Sequence, residues 1–185
     1  MKNESSMLTS LIEYLEATST FDFIAREVPF SYRLRRADLV VGEKDSFRTT
    51  AYEIKSDSDN LLKIEEQLKD YKEVFNYVYV VTTKKHLKNV RKIGLWFGII
   101  IIDGDKTVTV IRKARFRSRL NLSKIKSSMI KDTKNSVNVA EEFSVWLKER
   151  YSPLYEIFKK EKNKHNIDAH DLQVLSLRGV NIKKI

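Results

Sequence analysis

The sequence predicts an α/β protein with a central mixed β-sheet flanked by helices, followed by a basic, mainly helical C-terminal extension. Residues 51–81 read as strand, helix and strand, which is the pattern of a crossover between parallel strands. Two pairs of strand-like segments, within 22–41 and 98–111, are each joined by a short turn. We expect the α/β domain over residues 1–115 and the extension over residues 116–185.

Composition and charge agree with that division. The chain has 185 residues, 42% of them hydrophobic, with five Gly and two Pro, which excludes a disordered or collagen-like chain. It has no Cys, so it has no disulfide framework, no thiolate nucleophile and no Cys-based zinc site. Residues 1–110 hold 17 basic and 17 acidic residues, so the net charge of +10 lies in the remainder. A basic excess indicates a polyanionic partner: nucleic acid, an acidic protein or an anionic membrane surface.

The N-terminal segments read as a helix followed by a hairpin. Residues 5–17 place Leu8, Leu11, Ile12 and Leu15 on one helical face, and Ser5 or Ser6 can cap the helix. Residues 22–30 and 36–41 read as two strands joined by the short basic turn SYRLR.

The middle of the chain contains the crossover unit. The segment AYEIKS reads as a third strand, and Asp57 or Asp59 can cap the helix that follows. That helix has an apolar stripe at helical spacing, and the run YVYVV (77–81) after it is typical of a strand buried on both faces. The stripe is formed by Leu61, Ile64, Leu68, Tyr71 and Phe75.

The later segments complete the sheet and begin the extension. KKHLKNVRKIG predicts a short helix that ends at Gly94, and GIIII (98–102) with TVTVI (107–111) predicts another strand pair around the turn sequence DGDK. The segment from Asn138 to Lys162 is the best helical stretch of the extension, with a break expected at Pro153.

Three charged residues stand where a half-buried strand normally has none. Glu53 and Lys55 lie two residues apart on the third strand, so they point to the same face. Asp38, on the neighbouring strand, can add a second carboxylate. Two carboxylates can hold a hard divalent cation through oxygen ligands, which favours Mg²⁺ or Mn²⁺ in a chain with three His and no Cys.

These residues carry a resemblance to a known group of enzymes. Asp38, a spacing of 14 residues, and then Glu53-Ile54-Lys55 on a strand resemble the PD-(D/E)xK nuclease superfamily, with Ala37 in place of the proline. Gln67 and Tyr71 resemble the QxxxY motif of its exonuclease-like branch. The segments RRADLVV, YEIKSDSDNLLKIEEQLKDY and FNYVYVVTT look most like its sce7726 group of small bacterial and phage proteins.

The resemblance covers roughly residues 22–83 and implies a restriction-endonuclease-like core with Mg²⁺-dependent DNA cleavage. It implies Asp38, Glu53 and Lys55 as the catalytic core. We expect Asp38, Glu53 and the Ile54 carbonyl to bind one or two ions, and Lys55 to position or activate the attacking water. Gln67 and Tyr71 would position the substrate, although Tyr71 also fits a purely structural place in the apolar stripe.

The resemblance also implies a third metal-binding acid before Asp38. Glu27 is preferred, because a hairpin that turns around Tyr32 and Arg33 places it opposite Asp38. Glu16 is the second choice and Glu13 the third, since Glu13 points away from the apolar face of the first helix.

The segment RKARFRSRL is the candidate nucleic-acid-binding region, because arginines bind phosphates bidentately. The residues expected to bind nucleic acid are Arg35, Arg36, Arg112, Lys113, Arg115, Arg117 and Arg119. A solvated basic linker is the alternative for this segment.

The whole protein is expected to be a cytoplasmic DNA nuclease with no membrane partner. The second interpretation is an inactive nuclease-fold module in phage–host conflict that binds nucleic acid or a partner protein. Four questions stay open: whether RNA is a substrate, whether a partner supplies specificity, whether the action is exonuclease or endonuclease, and what the oligomeric state is.

Overall fold

A six-stranded mixed β-sheet organises the chain in the computed structural model, which describes residues 3–104, 106–129, 138–162 and 166–177. The strands are β1 Phe21–Phe30, β2 Arg35–Glu43, β3 Thr49–Lys55, β4 Tyr77–Thr82, β5 Gly98–Ile102 and β6 Val108–Arg112. The helices are α1 Glu4–Thr18, α2 Ile64–Val74, α3 Lys84–Ile93, α4 Leu122–Ser128, α5 Val139–Lys162 and α6 Ala169–Val174. The predicted α/β class, with a mixed sheet flanked by helices, is confirmed.

The strands follow one another across the sheet in chain order. β1, β2 and β3 pair antiparallel, β3 to β5 pair parallel, and β6 returns antiparallel to β5. The parallel pairs need crossover connections, which α2 and α3 supply. The crossover that the sequence predicts over residues 51–81 is therefore confirmed. It makes β3 an interior strand, so its side chains are shielded on both faces.

The first helix is held by a cap that the sequence pattern did not favour. Asn3 precedes the helix in an extended conformation, and its Oδ1 accepts the Ser6 N–H at 2.8 Å. The prediction of Ser5 or Ser6 as the cap was wrong, because α1 begins at Glu4 and includes both serines. The buried positions of α1 include the predicted Leu8, Leu11, Ile12 and Leu15, which face the core.

Helix α2 begins later than the acidic residues that were expected to cap it. Its N-cap position is Lys63, which makes no side-chain capping bond. The Asp59 carboxylate instead accepts from the Ser56 N–H at 2.7 Å, and Asp57 accepts from the Thr83 hydroxyl at 2.7 Å. Both aspartates therefore order the loop that follows β3, and the capping prediction was wrong.

Helix α5 continues through Pro153, so the expected break was also wrong. A proline inside a helix costs about 3 kcal/mol, because it removes one hydrogen bond and crowds the preceding turn. Side chains on both sides of the proline are buried, namely Tyr151, Leu154, Tyr155 and Phe158. Each buried side chain of this size contributes roughly 1.5–3 kcal/mol, which outweighs the cost of the proline.

The C-terminal segment packs on the sheet. Buried residues of α5 belong to the same hydrophobic core as β1 to β5. Near α6, the Leu175 carbonyl accepts the Arg26 N–H at 2.8 Å, so residues of the extension pair with the outer edge of β1. No helix among the described residues is long and apolar enough to cross a membrane.

Candidate active site

Two carboxylates face each other where β2 and β3 separate. The ladder between these strands begins at the pair Leu39 and Tyr52, and Asp38 and Glu53 are the next residues on the two strands. Opposed residues of an antiparallel pair share a face, so both carboxylates lie on the same side of the sheet. Asp38 Oδ2 accepts the Ile54 N–H at 2.7 Å, in the position where a backbone carbonyl would otherwise continue the ladder. We call this place the β2–β3 fork.

The carboxylates at the fork repel each other. Glu53 is buried, with 1% of its surface exposed, and Asp38 is half-buried. Loss of hydration raises the pKa of Asp38 well above its usual value, and the charge of Glu53 raises it further. The hydrogen bond from the Ile54 N–H lowers that pKa but does not compensate. A cation between the two groups would relieve this repulsion.

Lys55 supplies one positive charge at the fork. Its Nζ lies 2.6 Å from Glu53 Oε1. Burial alone lowers the pKa of Lys55, but attraction to Glu53 and the hydrogen bond to the same carboxylate outweigh burial and hold the pKa above its usual value. Lys55 is therefore an ammonium near neutral pH, and it acts as a hydrogen-bond donor and a charge rather than as a proton acceptor.

Tyr71 reaches the same carboxylate from α2. Its hydroxyl donates to Glu53 Oε2 at 2.6 Å and lies 3.2 Å from the Asp38 N–H, which donates to it. Burial, with the charges of Asp38 and Glu53, raises the pKa of Tyr71, so the phenol keeps its proton. Tyr71 is 1% exposed, so the expected contact with substrate is corrected to a contact that positions Glu53.

Gln67 lies one helical turn before Tyr71 on α2. Its side chain is half-buried and makes no hydrogen bond within the described residues. Its amide is thus available to an outside group, and its role in substrate positioning stays a prediction.

The expected third acids do not join the fork. Glu27 lies across from Asp38 in the β1–β2 register, but its backbone is left-handed (φ 50°) and its Oε2 is 3.3 Å from the Ser176 hydroxyl. Glu16 accepts from the Tyr155 hydroxyl at 2.9 Å and pairs with Lys162. Glu13 is exposed. The prediction of Glu27 at the metal site is therefore corrected.

A different acid acts on the fork. The charge of Glu4, in the first turn of α1, raises the pKa of Asp38. Glu4 was not among the predicted site residues, because the apolar pattern predicts a helix that begins at Ser5, one residue after Glu4. Its signal was available in the sequence, since acidic residues favour the first turn of a helix.

The donor set of the fork consists of oxygen atoms. No cluster of three or more His, Cys, Asp or Glu side chains with metal-binding geometry occurs in the part of the chain that the structure describes. An ion at the fork would rest on Asp38, Glu53 and the Ile54 carbonyl. Both Glu53 oxygens already accept one hydrogen bond, but a carboxylate has about four acceptor positions and can accept more. Mg²⁺ fits such a set, because it binds through one or two carboxylates and keeps several waters.

His86 fixes the loop beyond Lys55. It is buried, and its Nε2 lies 3.0 Å from the Ser56 carbonyl oxygen. The Thr82 hydroxyl donates to the Lys55 carbonyl at 3.0 Å from β4. These contacts hold the backbone on which Lys55 is presented. The sequence showed no signal for His86, because its partner is a backbone carbonyl 30 positions away.

Several of the predicted nucleic-acid-binding arginines are structural. The Arg112 guanidinium donates to the carbonyls of Phe97 and Gly94, at 2.9 and 2.7 Å. Arg117 Nε donates to the Lys72 carbonyl at 3.0 Å. Arg35 forms ion pairs with Asp70, at 2.7 Å, and with Glu66 on α2. For these three residues, the expectation of a guanidinium available to phosphates is corrected. The side chains of Arg36, Lys113, Arg115 and Arg119 are exposed.

The basic segment lies at the opposite end of the sheet from the fork. Arg117 exchanges backbone and side-chain hydrogen bonds with Asn76, and Asn76 Oδ1 accepts the Thr49 N–H at 3.0 Å. Thr49 begins β3 and Lys55 ends it, a span of about 20 Å. Arg117, in the middle of the segment RKARFRSRL, therefore does not line the fork.

Comparison with known proteins places the chain in a phage family. A family model described as "Bacteriophage P4 protein cII" matches residues 1–138. The chain belongs to this family. The family match includes every strand of the sheet and both carboxylates of the fork, and it ends immediately before α5. It gives the chain a phage association.

Protein cII of Enterobacteria phage P4 is 30% identical over 146 residues, which are 74% of this chain and 54% of the relative. The chain thus spans about half the length of this curated relative. The fold also resembles a solved structure, the SPO1766 protein of unknown function from Silicibacter pomeroyi. The TM-score is 0.60 at 12% identity, over 90% of this chain and 97% of that one. This likeness shows a shared fold.

Proposed function

We propose that this member of the P4 cII family is a metal-dependent nuclease that hydrolyses DNA phosphodiester bonds. The observation that carries the proposal is the convergence of Asp38, Glu53 and Lys55 at the β2–β3 fork. Within this proposal the sheet is a restriction-endonuclease-like core, and the chain is a PD-(D/E)xK nuclease similar to the sce7726 group. The phage family is compatible with a nucleic-acid enzyme.

The donor chemistry supports Mg²⁺ or Mn²⁺ as the cofactor. Asp38 and Glu53 present carboxylate oxygens, and the Ile54 carbonyl would complete the protein ligands. Burial, and then the charge of Glu53, raise the pKa of Asp38, and a divalent ion at the fork would favour the ionised carboxylate. When bound, such an ion supplies charge stabilisation for the scissile phosphate and makes water a better nucleophile near neutral pH.

The side chains of the fork divide the remaining work. Lys55 carries a positive charge beside Glu53, where it stabilises negative charge that develops on the phosphate and orients the attacking water. Tyr71 holds the second oxygen of Glu53, so the carboxylate cannot rotate away from the fork. Asp38 stays fixed through the Ile54 N–H. Gln67 would contact the strand that is cut.

The test is a cleavage assay with purified protein on linear duplex, circular duplex and single-stranded DNA and on single-stranded RNA, each with Mg²⁺, Mn²⁺ or EDTA. Glu53→Gln keeps the shape of the side chain and removes its charge, and Lys55→Met removes the ammonium. Lys44→Met, an exposed lysine in the turn after β2, is the matched control. We expect cleavage by the native chain and by Lys44→Met, and loss of at least 100-fold in the two fork variants. Full cleavage by the fork variants would refute the assignment, and activity on RNA alone would refute DNA as the substrate.

A second function has one observation in its favour. Lys55 and Tyr71 satisfy both oxygens of Glu53 without an ion, so the fork is also compatible with a scaffold that binds without turnover. Such a protein would be an inactive nuclease-fold module that binds nucleic acid or a partner protein. Calorimetric titration with Mn²⁺ separates the two functions. A nuclease binds the ion at a site that Glu53→Gln weakens, whereas a scaffold shows salt-sensitive DNA binding and no such site.

A further inference from the structure

The turn between β1 and β2 has an unusual backbone. Ser31, Tyr32 and Arg33 are consecutive residues in the left-handed region, with φ values of 47°, 58° and 61°. This conformation costs a residue other than glycine about 1–2 kcal/mol. Two hydroxyls of α4 hold the turn, because Ser128 Oγ accepts the Ser31 N–H at 2.9 Å and Ser127 Oγ accepts the Tyr32 N–H at 3.1 Å. The turn is thus a fixed feature anchored to a second element.

The turn displays apolar side chains to solvent. Tyr32 is 64% exposed and Leu34 is 80% exposed. The left-handed backbone of this turn and its exposed apolar side chains both lower the stability of the folded chain. Such features concentrate where a protein contacts a ligand or partner.

Two arginines without acidic partners lie at the same turn. Arg33 is in the turn and Arg36 is the second residue of β2, and both are exposed. Neither forms an ion pair within the described residues, whereas the neighbouring Arg35 is neutralised by α2. We call Tyr32, Leu34, Arg33 and Arg36 the hairpin patch.

The hairpin patch lies beside the fork. β2 begins at Arg35, and Asp38 is its fourth residue. Tyr32 is six positions before Asp38, a path of at most about 20 Å along the chain. One strand of B-form DNA advances about 3.4 Å along the helix axis per nucleotide, so at most roughly six nucleotides cover this distance.

We infer that the hairpin patch binds the unpaired strand of a DNA substrate, with a base stacked on Tyr32 and phosphates held by Arg33 and Arg36. Stacking requires a free base face, and the bases of an intact duplex do not offer one except at the ends. A basic surface with one exposed aromatic side chain has the composition of a single-strand-binding site. The inference rests on the proposed nuclease function and adds its substrate class, a duplex with an unpaired tail.

The test measures binding by fluorescence anisotropy in EDTA, so that no cleavage is needed. The probes are a blunt duplex, the same duplex with a ten-nucleotide tail, and the tail alone. We expect the native chain to prefer the tailed probe. Tyr32→Ala should lose about 10-fold in affinity for the tailed probe, within the range that stacking of one base supplies. Tyr32→Phe should bind as the native chain does, because it keeps the ring.

The matched control is Phe47→Ala, since Phe47 is 52% exposed in the loop at the other end of β2. It should leave affinity for the tailed probe within twofold of native. Arg33→Gln should lower the salt dependence of binding to the tail by about 0.7 in the log–log slope, as expected for one phosphate contact on a single strand. Equal affinity of native chain and Tyr32→Ala for the tailed probe, or an equal loss in Phe47→Ala, would overturn the inference.

Cleavage is then measured separately, with Mg²⁺ and an end-labelled tailed duplex. We expect cuts within about six nucleotides of the boundary between paired and unpaired DNA. Binding that depends on Tyr32 without any cleavage would refute the nuclease function and leave the binding site intact. Cleavage that is the same on blunt and tailed duplex would refute the substrate class and leave the nuclease function intact.

Discussion

The substitution Asp38→Asn is expected to stabilise the folded protein while it removes activity. Cross-strand partners have Cβ atoms about 5 Å apart, and two unit charges at that distance repel by about 3 kcal/mol at an effective dielectric constant of 20. Lys55 offsets part of this repulsion. An asparagine oxygen still accepts the Ile54 N–H, so the structural bond survives. We therefore expect a gain of about 1–2 kcal/mol near pH 7.5, and a rise in Tm of about 2–8 °C for a chain of this size.

The pH dependence gives the sign of the effect. The pKa of Asp38 is raised in the folded protein, so the folded chain holds this proton more tightly than the unfolded chain does. The contribution of the Asp38 carboxyl to folding stability is therefore most favourable at acidic pH. It is lost as the pH rises from the pKa of this group in the unfolded chain towards its higher pKa in the folded protein. The difference in stability between Asp38→Asn and the native chain should be small near pH 4 and should grow with pH.

The assay is thermal unfolding in EDTA between pH 4 and pH 8, with Asp59→Asn as the matched control. The Asp59 carboxylate accepts from the N–H and the hydroxyl of Ser56 at 2.7 and 2.6 Å, so its loss should destabilise the protein. Mg²⁺ should then raise the Tm of the native chain and have little effect on Asp38→Asn. A lower Tm for Asp38→Asn at pH 7.5, similar to that of Asp59→Asn, would refute the argument for repulsion at the fork.

Three further predictions follow from the same contacts. Lys55→Met should lower the free energy of unfolding in urea by about 3–5 kcal/mol, because Glu53 is left buried without its partner. The double variant Glu53→Gln/Lys55→Met should recover most of that stability but should not recover cleavage. Tyr71→Phe should cost about 1–3 kcal/mol and reduce the cleavage rate, both measured beside the native chain, and an unchanged rate would contradict the positioning role. Arg112→Ala should lower the Tm and leave DNA affinity unchanged. Arg115 is exposed, so if the segment RKARFRSRL binds DNA, Arg115→Glu should lower DNA affinity and leave the Tm unchanged. Equal effects of the two variants on Tm and on DNA affinity would contradict the assignment of Arg112 as structural and Arg115 as DNA-binding.

The sequence was sufficient for the sheet and for the central part of the fork. Alternation placed Glu53 and Lys55 on one face, and the hairpin placed Asp38 on the neighbouring strand. Both follow from the period of a strand and from short connections, which are local properties. The crossover helix with Tyr71 also followed from spacing, although its contact with Glu53 required the packed structure.

The remaining features depend on contacts that are distant in sequence. Arg112 and Arg117 read as phosphate-binding residues, but they bind backbone carbonyls 15 and 45 positions away. Glu27 lies opposite Asp38 as predicted, but its backbone is left-handed and its carboxylate contacts Ser176. Residue spacing does not reveal a left-handed backbone. Helix α5 is unbroken because burial of the side chains around Pro153 contributes more free energy than the proline costs. Local patterns predicted elements, and long-range packing decided which charges stay available.

The measurement that tests the central claim most directly is the rate of cleavage of end-labelled DNA by the native chain and by the charge-balanced variant Glu53→Gln/Lys55→Met. Both proteins are expected to fold, so a difference in rate reports on the chemistry of the fork. The nuclease assignment predicts cleavage by the native chain that requires Mg²⁺ or Mn²⁺ and stops in EDTA, with none above background from the variant. Equal rates for the two proteins, or no cleavage by the native chain with either ion, would contradict it.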